Sequence, residues 1–531
     1  MNQSAQLDRR FVWHPFTQMR DWLKREPLVI AEGRGAVLRD LRGREYLDAN
    51  ASIWTNLHGH NHPKINAAIR RQLKKIAHSS ALGFANEPAS LLASKLIAAS
   101  NKSAGNANLK SQISNLKLKK VFFSDDGSTA MEVALKLAYE FTRRTRGRTV
   151  GRASPRAGSS VASPHPKFLS LDGAYHGDTV GAVSAGHIDL FHKAYSGLLF
   201  KTDKVMSPYC YRCPFNRAKP ERADARDYRK CRFECVGLVE KKFAAQKKKG
   251  NPYAAFIFEP LMQGSAGMIP QPQTWLKQVS DIARGHGALL IADEVMTGFG
   301  RIGSAAAPAA VRSALAPNTD IPRLSTLDAD DEGVVGSARG GRAPLFATTQ
   351  IQPDFLCLAK GMTGGYLPMA ATLTTQNIFD AFLGDYAEFK TFFHGHSFTG
   401  NQLGASAALA SLEILQSPAS ARARKNLENV LRNELQSLWP LPHVGDIRQV
   451  GLIAGIELVR NWRTREPYDL RDRAGIRVCE TMAKRGVLTR PIGNVIVLMP
   501  PYCTTTAQMQ KMIRALREAV SEVFIETRST R

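Results

Sequence analysis

Short apolar runs that end in a polar or charged residue recur along the chain and alternate with segments of helical periodicity. Each run has the length of a strand and no alternation of polar residues, which is typical of parallel strands that are covered on both faces. The alternation predicts an α/β fold in which helices enclose a mostly parallel sheet. The runs are KVFFS, FLSLDG, AAFIFEP, ALLIADE and DFLCLAK.

From about Gly400 onward helical patterns dominate, and two later apolar runs, VGLIAGIELV and NVIVLMPP, indicate strands of a second, smaller domain. We expect residues 51–417 to form the large domain, and residues 1–50 and 418–531 to form the small domain together. Three stretches interrupt the α/β pattern and are expected to be surface inserts. They span residues 101–118, 143–167 and 304–342.

The chain has 72 Lys and Arg residues against 46 Asp and Glu, which gives a formal charge of +26. Such a charge raises the question of nucleic-acid binding. Six of the arginines, however, lie between Arg143 and Arg156, in a stretch without apolar periodicity that predicts a solvated, mobile insert. The other basic residues are dispersed, so we expect no nucleic-acid partner.

The amino-terminal segment MNQSAQLDRRFVWHPF carries charged residues where a signal peptide needs an apolar core. Elsewhere no apolar run approaches the ~20 residues that cross a bilayer. These two features predict a cytoplasmic protein with no membrane partner.

Four of the seven cysteines form two closely spaced pairs, Cys210 with Cys213 and Cys231 with Cys235. Tetrahedral zinc takes four thiolates from two such turns, so the spacing is compatible with a structural zinc site. The alternative is that reduced thiols pack within a surface excursion of a cytosolic protein. We expect no catalytic metal, and the spacing leaves structural zinc open.

Lys360 ends the apolar run DFLCLAK and is followed at once by a glycine-rich turn. Open α/β sheets place their chemistry beyond the carboxyl ends of strands, where a partly desolvated amine has a lowered pKa. Such an amine can be a nucleophile and form a Schiff base. A lysine in this position is more often only the solvated end of a strand, so its neighbours in the fold must decide.

Three further groups follow predicted strands and complement an amine. Gly127 and Ser128 begin a helical pattern, where free backbone N–H groups favour an anion such as phosphate. Tyr175 stands among glycines and could lie over a planar ring, and Asp293 ends the run ALLIAD. Pyridoxal phosphate has a phosphate, a ring, a pyridinium nitrogen and an aldehyde, which match these groups and Lys360 one by one.

With these residues the sequence resembles the class III aminotransferases of fold type I over nearly its whole length, apart from the three inserts. Further motifs are similar to those of the branch that converts 8-amino-7-oxononanoate to 7,8-diaminononanoate in biotin synthesis. They are WHPFTQM from Trp13, LHGHNHP from Leu57, AYHGDT from Ala174, HGHSFTGN from His394 and TRPIGNVIVLMPPY from Thr489.

The resemblance implies that pyridoxal phosphate is bound covalently by Lys360, which also moves the proton during amino transfer. It implies that Asp293 keeps the pyridinium nitrogen protonated and that Gly127 and Ser128 bind the phosphate. Tyr175 would border both the cofactor ring and the substrate.

The resemblance also implies a homodimer, in which His396 and Ser397 of the partner subunit complete the phosphate site. Arg490 matches an arginine that pairs with the carboxylate of the keto acid, a bidentate task that suits guanidinium. The other expected substrate residues are Phe16, Ile53, Trp54 and Gly395.

The amino donor stays open between S-adenosylmethionine, which we expect, and lysine, which some relatives use. Phe16, Ile53 and Val497 stand where a familiar member of the branch has tyrosine, tryptophan and tyrosine. Each change removes a polar group or an aromatic face near the donor, and the segment PYCYRCPF is similar to the lysine-using relatives. A class III aminotransferase that acts on an ω-amine and pyruvate is the further alternative.

Overall fold

A seven-stranded sheet lies at the centre of the molecule, in a computed structural model that describes residues 2–101, 117–150, 165–303, 344–347 and 351–525. The strands, in spatial order, are β4 (Leu118–Ser124), β12 (Ala370–Thr375), β11 (Phe355–Leu358), β10 (Leu289–Asp293), β7 (Ala255–Phe258), β5 (Phe168–Leu171) and β6 (Asp203–Val205). Strand β12 runs antiparallel to its two neighbours, and the others share one direction. This confirms the predicted fold, and each of the five apolar runs forms a strand of the sheet.

Helices cover both faces of the sheet, so its central strands are buried on both sides. In β11, Phe355 and Cys357 belong to the apolar cluster on the face that the helix of residues Gly127–Val150 covers. Leu356 and Leu358 belong to the cluster on the opposite face. The covering helices are α6 (Gly127–Val150) and α7 (Val180–Ala185) on one face, and α5 (Glu87–Ser100), α9 (Glu234–Lys248), α10 (Trp275–Gly285) and α12 (Gln402–Leu415) on the other.

The arginine-rich stretch begins inside helix α6, which continues to Val150, whereas the sequence predicted a solvated, mobile insert from Arg143 onward. Arg144 donates to two backbone carbonyl oxygens, at 2.7 and 3.0 Å. Arg146 donates to three more, between 2.7 and 3.0 Å. Because these contacts are made by guanidinium groups, a search for apolar periodicity does not detect them.

The remainder of the expected inserts falls largely outside the described residues, namely 102–116, 151–164 and 304–342. The two ends of the first insert are joined by the side-chain amide of Asn101. This amide donates to the carbonyl oxygen of Leu118 at 2.8 Å and accepts from the N–H group of Leu118 at 3.1 Å.

A second sheet is formed mainly by the carboxy-terminal part of the chain. It contains the two strands that the sequence predicts for a smaller domain, β14 and β18. Its strands are β13 (Val444–Val450), β14 (Ile453–Asn461), β15 (Glu466–Pro467), β17 (Pro491–Ile492) and β18 (Val495–Leu498).

A third sheet joins the two ends of the chain. Its parallel pair of β3 with β16 supports the proposal that residues 1–50 and 418–531 form one small domain. Its strands are β1 (Ile30–Arg34), β2 (Val37–Asp40), β3 (Glu45–Asp48) and β16 (Val487–Leu488).

The other elements are short or lie around these sheets. They are the hairpin of β8 (Met262–Gln263) and β9 (Ile269–Pro270), and helices α1 (Gln3–Phe11), α2 (Met19–Trp22), α3 (Ala51–Trp54), α4 (Pro63–Leu73), α8 (Asp189–His192), α11 (Gln376–Asp380), α13 (Pro418–Leu435), α14 (Ala474–Lys484) and α15 (Thr506–Ile525). Within the described ranges, none of the helices has the length and apolarity needed to span a bilayer.

Candidate active site

Polar groups from four strand ends meet at one edge of the central sheet. They line a cavity of about 450 Å³. Lys360 follows β11, Asp293 ends β10, Tyr175 follows β5, and Gly127 and Ser128 begin α6 after β4. Because the carboxyl ends of parallel strands share an edge, residues far apart in the chain converge here.

The amine of Lys360 is enclosed by the cavity. Burial lowers the pKa of this amine, and the nearby carboxylates of Asp293 and Glu259 only partly oppose that effect. The nitrogen lies 5.2 Å from the centroid of the Trp54 ring. A larger fraction of the amine is therefore uncharged at neutral pH than for an exposed lysine, which suits a nucleophile.

Both oxygen atoms of the Asp293 carboxylate have a hydrogen-bond partner. His176 Nδ1 lies 2.7 Å from its Oδ2, and the N–H group of Val295 donates to its Oδ1 at 3.0 Å. Burial alone would lower the pKa of His176, but the hydrogen bond and charge of Asp293, with the charge of Glu259, leave that pKa raised.

Glu259 is a member of the site that the sequence analysis missed. It follows β7, is buried, and accepts hydrogen bonds from the N–H groups of Gly264 at 2.7 Å and Tyr175 at 3.4 Å. Burial raises its pKa to about 7, with the charge of Asp293 acting in the same direction and that of His176 against it. The signal was available, since Glu259 ends the run AAFIFE just as Asp293 ends ALLIAD.

Tyr175 stands in a loop that is fastened to the start of α6. Its hydroxyl donates to Asp178 Oδ2 at 2.7 Å, and the N–H group of Asp178 donates to Ser128 Oγ at 3.0 Å. The ring of Tyr175 stacks on that of His192, with centroids 6.2 Å apart. These contacts fix an aromatic face beside the helix N-terminus.

Only some of the predicted substrate residues line the cavity. Ile53 and Trp54 line the cavity, whereas Phe16, Gly395 and Arg490 are not among the residues that line it. Phe16 is 60% exposed and packs edge-on against Phe191, with ring centroids 5.3 Å apart. Gly395 and Arg490 are also exposed. Sequence similarity indicated these residues, and the described single chain does not bring them to Lys360.

The segment predicted to reach a phosphate lies at the margin of the cavity in its own chain. His396 Nδ1 is 2.9 Å from Asp125 Oδ2, and Asp125 lines the cavity. Ser397 is exposed. The contribution of His396 and Ser397 of the partner subunit stays a prediction.

The gathered groups fit pyridoxal phosphate. A cavity of about 450 Å³ is within the range of small-molecule sites, roughly 300–1,000 Å³. The start of α6 is packed close to the loop that follows Asp293, because a Cβ atom at Gly127 would lie 2.7 Å from a methyl carbon of Val295. This contact holds the candidate phosphate site, at Gly127, close to Asp293, the candidate partner of the ring nitrogen.

The four spaced cysteines, Cys210, Cys213, Cys231 and Cys235, are free thiols. Across the described parts of the chain, no group of three or more metal-ligating side chains is arranged to hold an ion. Burial raises the pKa of Cys210 to about 12 and that of Cys235 to about 11. Cys210 and Cys235 are buried, whereas Cys213 and Cys231 are half-buried.

Comparison with known proteins identifies the family of this chain. The family model for class-III aminotransferases matches residues 19–315 and 330–520. A Geobacter sulfurreducens protein named adenosylmethionine-8-amino-7-oxononanoate aminotransferase is 40% identical over 516 residues, covering 97% of both chains. A protein of the same name from Aquifex aeolicus is 39% identical over 518 residues, covering 97% of this chain and 96% of the relative.

Solved structures give the same result. The crystal structure of the adenosylmethionine-8-amino-7-oxononanoate aminotransferase from Methanocaldococcus jannaschii has a TM-score of 0.78 and 35% identity, covering 98% of both chains. An omega transaminase from Pseudomonas jessenii in complex with PMP has a TM-score of 0.78 at 22% identity, which shows the common fold. This chain is a pyridoxal-phosphate-dependent aminotransferase and belongs to the class III aminotransferase family.

Proposed function

We propose that the chain transfers an amino group from S-adenosylmethionine to 8-amino-7-oxononanoate and so produces 7,8-diaminononanoate for biotin synthesis. The observation that carries this proposal is similarity over nearly the full length, at 40% identity, to a relative named for this reaction. Lysine as the donor is the alternative, since the sequence changes at Phe16 and Ile53 lie where the donor is expected.

The residues around the cavity have distinct tasks in this proposal. When bound, pyridoxal phosphate supplies a ring that accepts the electrons released as a proton leaves the substrate carbon. The Nζ atom of Lys360 would hold the cofactor through its aldehyde carbon and, once the amino donor has displaced it there, would carry that proton. Asp293, held by His176, keeps a proton on the ring nitrogen. The N–H groups at the start of α6 bind the phosphate, with Ser128 beside them.

The substrate would lie between Tyr175 and the segment that contains Ile53 and Trp54. Ser52 and Trp54 have φ of 61° and 69°, and strained backbone of this kind is concentrated at functional sites. The assignment of the acceptor carboxylate to Arg490 rests on the motif TRPIGNVIVLMPPY.

A homodimer is part of the proposal. Leu82, Phe84 and Phe398 are 84%, 72% and 60% exposed. The two segments that carry them are in contact, since His78 Nε2 lies 2.9 Å from the carbonyl oxygen of Ser397. A second copy of the chain would remove these apolar side chains from water. The family resemblance implies that in such a dimer His396 and Ser397 of the partner subunit lie close to a phosphate site.

The test is to supply 8-amino-7-oxononanoate with S-adenosylmethionine or with lysine and to measure 7,8-diaminononanoate. We expect product with S-adenosylmethionine; product with lysine alone would establish the alternative donor. Lys360→Ala is the control and should form no product with either donor. Turnover of an ω-amine with pyruvate, without any diaminononanoate, would contradict the proposed acceptor.

A further inference from the structure

Glu132 lies on α6 and contacts the loop that follows β5 and carries Tyr175 and His176. It binds the far end of this loop through a single carboxylate oxygen. Its Oε1 accepts hydrogen bonds from Thr179 Oγ1 at 2.6 Å and from the N–H groups of Gly181 and Ala182 at 2.8 and 3.2 Å. These groups belong to the start of α7, where Thr179 is the N-cap residue but makes no cap hydrogen bond with its own side chain. The carboxylate on α6 therefore caps α7.

The same face of α6 contacts the loop a second time. Ser128 and Glu132 are four residues apart and are neighbours on the helix surface. A Cβ atom at Gly177 would lie 1.9 Å from Ser128 Oγ, and one at Gly181 would lie 2.2 Å from Glu132 Oε2. The loop backbone is therefore pressed against α6 at both positions, with room for glycine only.

Between these contacts and β5 the loop carries Tyr175 and His176. His176 holds Asp293, and Tyr175 lines the cavity. Glu132 does not line that cavity. We propose that Glu132 is a positioning residue for transamination, which fixes the loop on α6 and so keeps Tyr175 and His176 in place at the cofactor site. This inference depends on cofactor binding in the cavity and not on the identity of the acceptor.

The test compares Glu132→Ala with Glu132→Gln. Alanine leaves the three donors without this acceptor, whereas the glutamine amide oxygen can still accept hydrogen bonds. In the cofactor-free protein we expect amide hydrogen exchange of residues 177–182 to increase at least tenfold in Glu132→Ala and to stay close to wild type in Glu132→Gln. Glu140→Ala, two turns further along α6, is the control and should leave this exchange unchanged.

With cofactor present, we expect kcat of Glu132→Ala to fall about 10- to 100-fold with a smaller change in KM, because misplaced groups act most strongly on the transition state. Glu132→Gln should restore most of this loss. Unchanged loop exchange together with kcat within twofold of wild type would overturn the inference.

Gly181→Ala provides a second test if Glu132→Ala does not fold, because the added methyl group displaces the carboxylate without removing it. It should increase the same exchange. Wild-type protection in a folded Gly181→Ala variant would contradict the inference. The exchange measurement is made without acceptor, so failure of the proposed acceptor leaves its outcome unaffected.

Discussion

His176 Nδ1 lies 2.7 Å from Asp293 Oδ2, and both side chains are buried. Val295 donates to the other carboxylate oxygen, so Asp293 cannot rotate without breaking a hydrogen bond. His176 Nε2 has no hydrogen-bond partner among the described residues. Asp293 is therefore the hydrogen-bond partner of the imidazole; burial alone would lower the pKa of His176, but the hydrogen bond and charge of Asp293 leave it raised.

Replacing Asp293 by asparagine should nearly abolish turnover. The change removes the negative charge that holds a proton on the ring nitrogen and leaves His176 without its anionic partner. Removing one preorganised charged or hydrogen-bonding group from a transition state typically lowers kcat about 100- to 1,000-fold. The measurement is steady-state kinetics on the cofactor-loaded variant. Activity within tenfold of wild type would show that Asp293 does not face the ring nitrogen.

Replacing His176 by asparagine should change how stability depends on pH. The pKa of His176 is raised in the folded protein, so its stabilising effect is complete below the ordinary value of about 6.5 and is lost as pH rises through the folded pKa. Wild type should therefore exceed His176→Asn in Tm most clearly at pH 6, and the difference should narrow above pH 7. A difference that grows with rising pH would contradict the assignment.

Glu259→Gln should stabilise the cofactor-free protein at pH 8. The pKa of Glu259 is raised from 4.5 to about 7, so the folded state holds a proton that the unfolded chain has released, and wild type loses stability between these two pH values. The displacement corresponds to about 3 kcal/mol above pH 7. Glutamine keeps an acceptor for Gly264 without the charge. Chemical denaturation at pH 5 and pH 8 measures this, and equal effects of the substitution at both would contradict it.

The sequence predicted the parts of the site that follow directly from strand ends. Lys360, Asp293 and Tyr175 each come just after an apolar run, and parallel topology brings such positions together. It did not predict the pairing of His176 with Asp293, because strand ends indicate which loops converge but not which side chain of a loop turns toward the carboxylate. The helical course of the chain beyond Arg143 was missed for a similar reason, since guanidinium contacts with distant carbonyl groups stabilise it.

Of the residues that were predicted only from similarity to the family, some lie in the cavity and others do not. Ile53 and Trp54 lie in the cavity, since the turn that carries them is packed against Lys360. Phe16 and Arg490 lie in peripheral segments whose positions depend on long-range contacts, and local sequence does not determine such contacts. A single chain also leaves out whatever a second subunit would cover.

The cysteine-rich segment gives the last prediction, which concerns metal removal. Incubation with a chelator should leave Tm unchanged, and the purified protein should contain well under one zinc ion per chain. The physical reason is that the described residues bring no three metal-ligating side chains together, and burial of Cys210 and Cys235 disfavours the deprotonated thiols that a zinc site needs. Because Cys210 and Cys235 are buried, both thiols should also react more slowly with an alkylating reagent at pH 7 than the exposed Cys503, whose pKa is likewise raised to about 11. Stoichiometric zinc, with a fall in Tm on chelation, would show instead that the two cysteine pairs close around a metal ion.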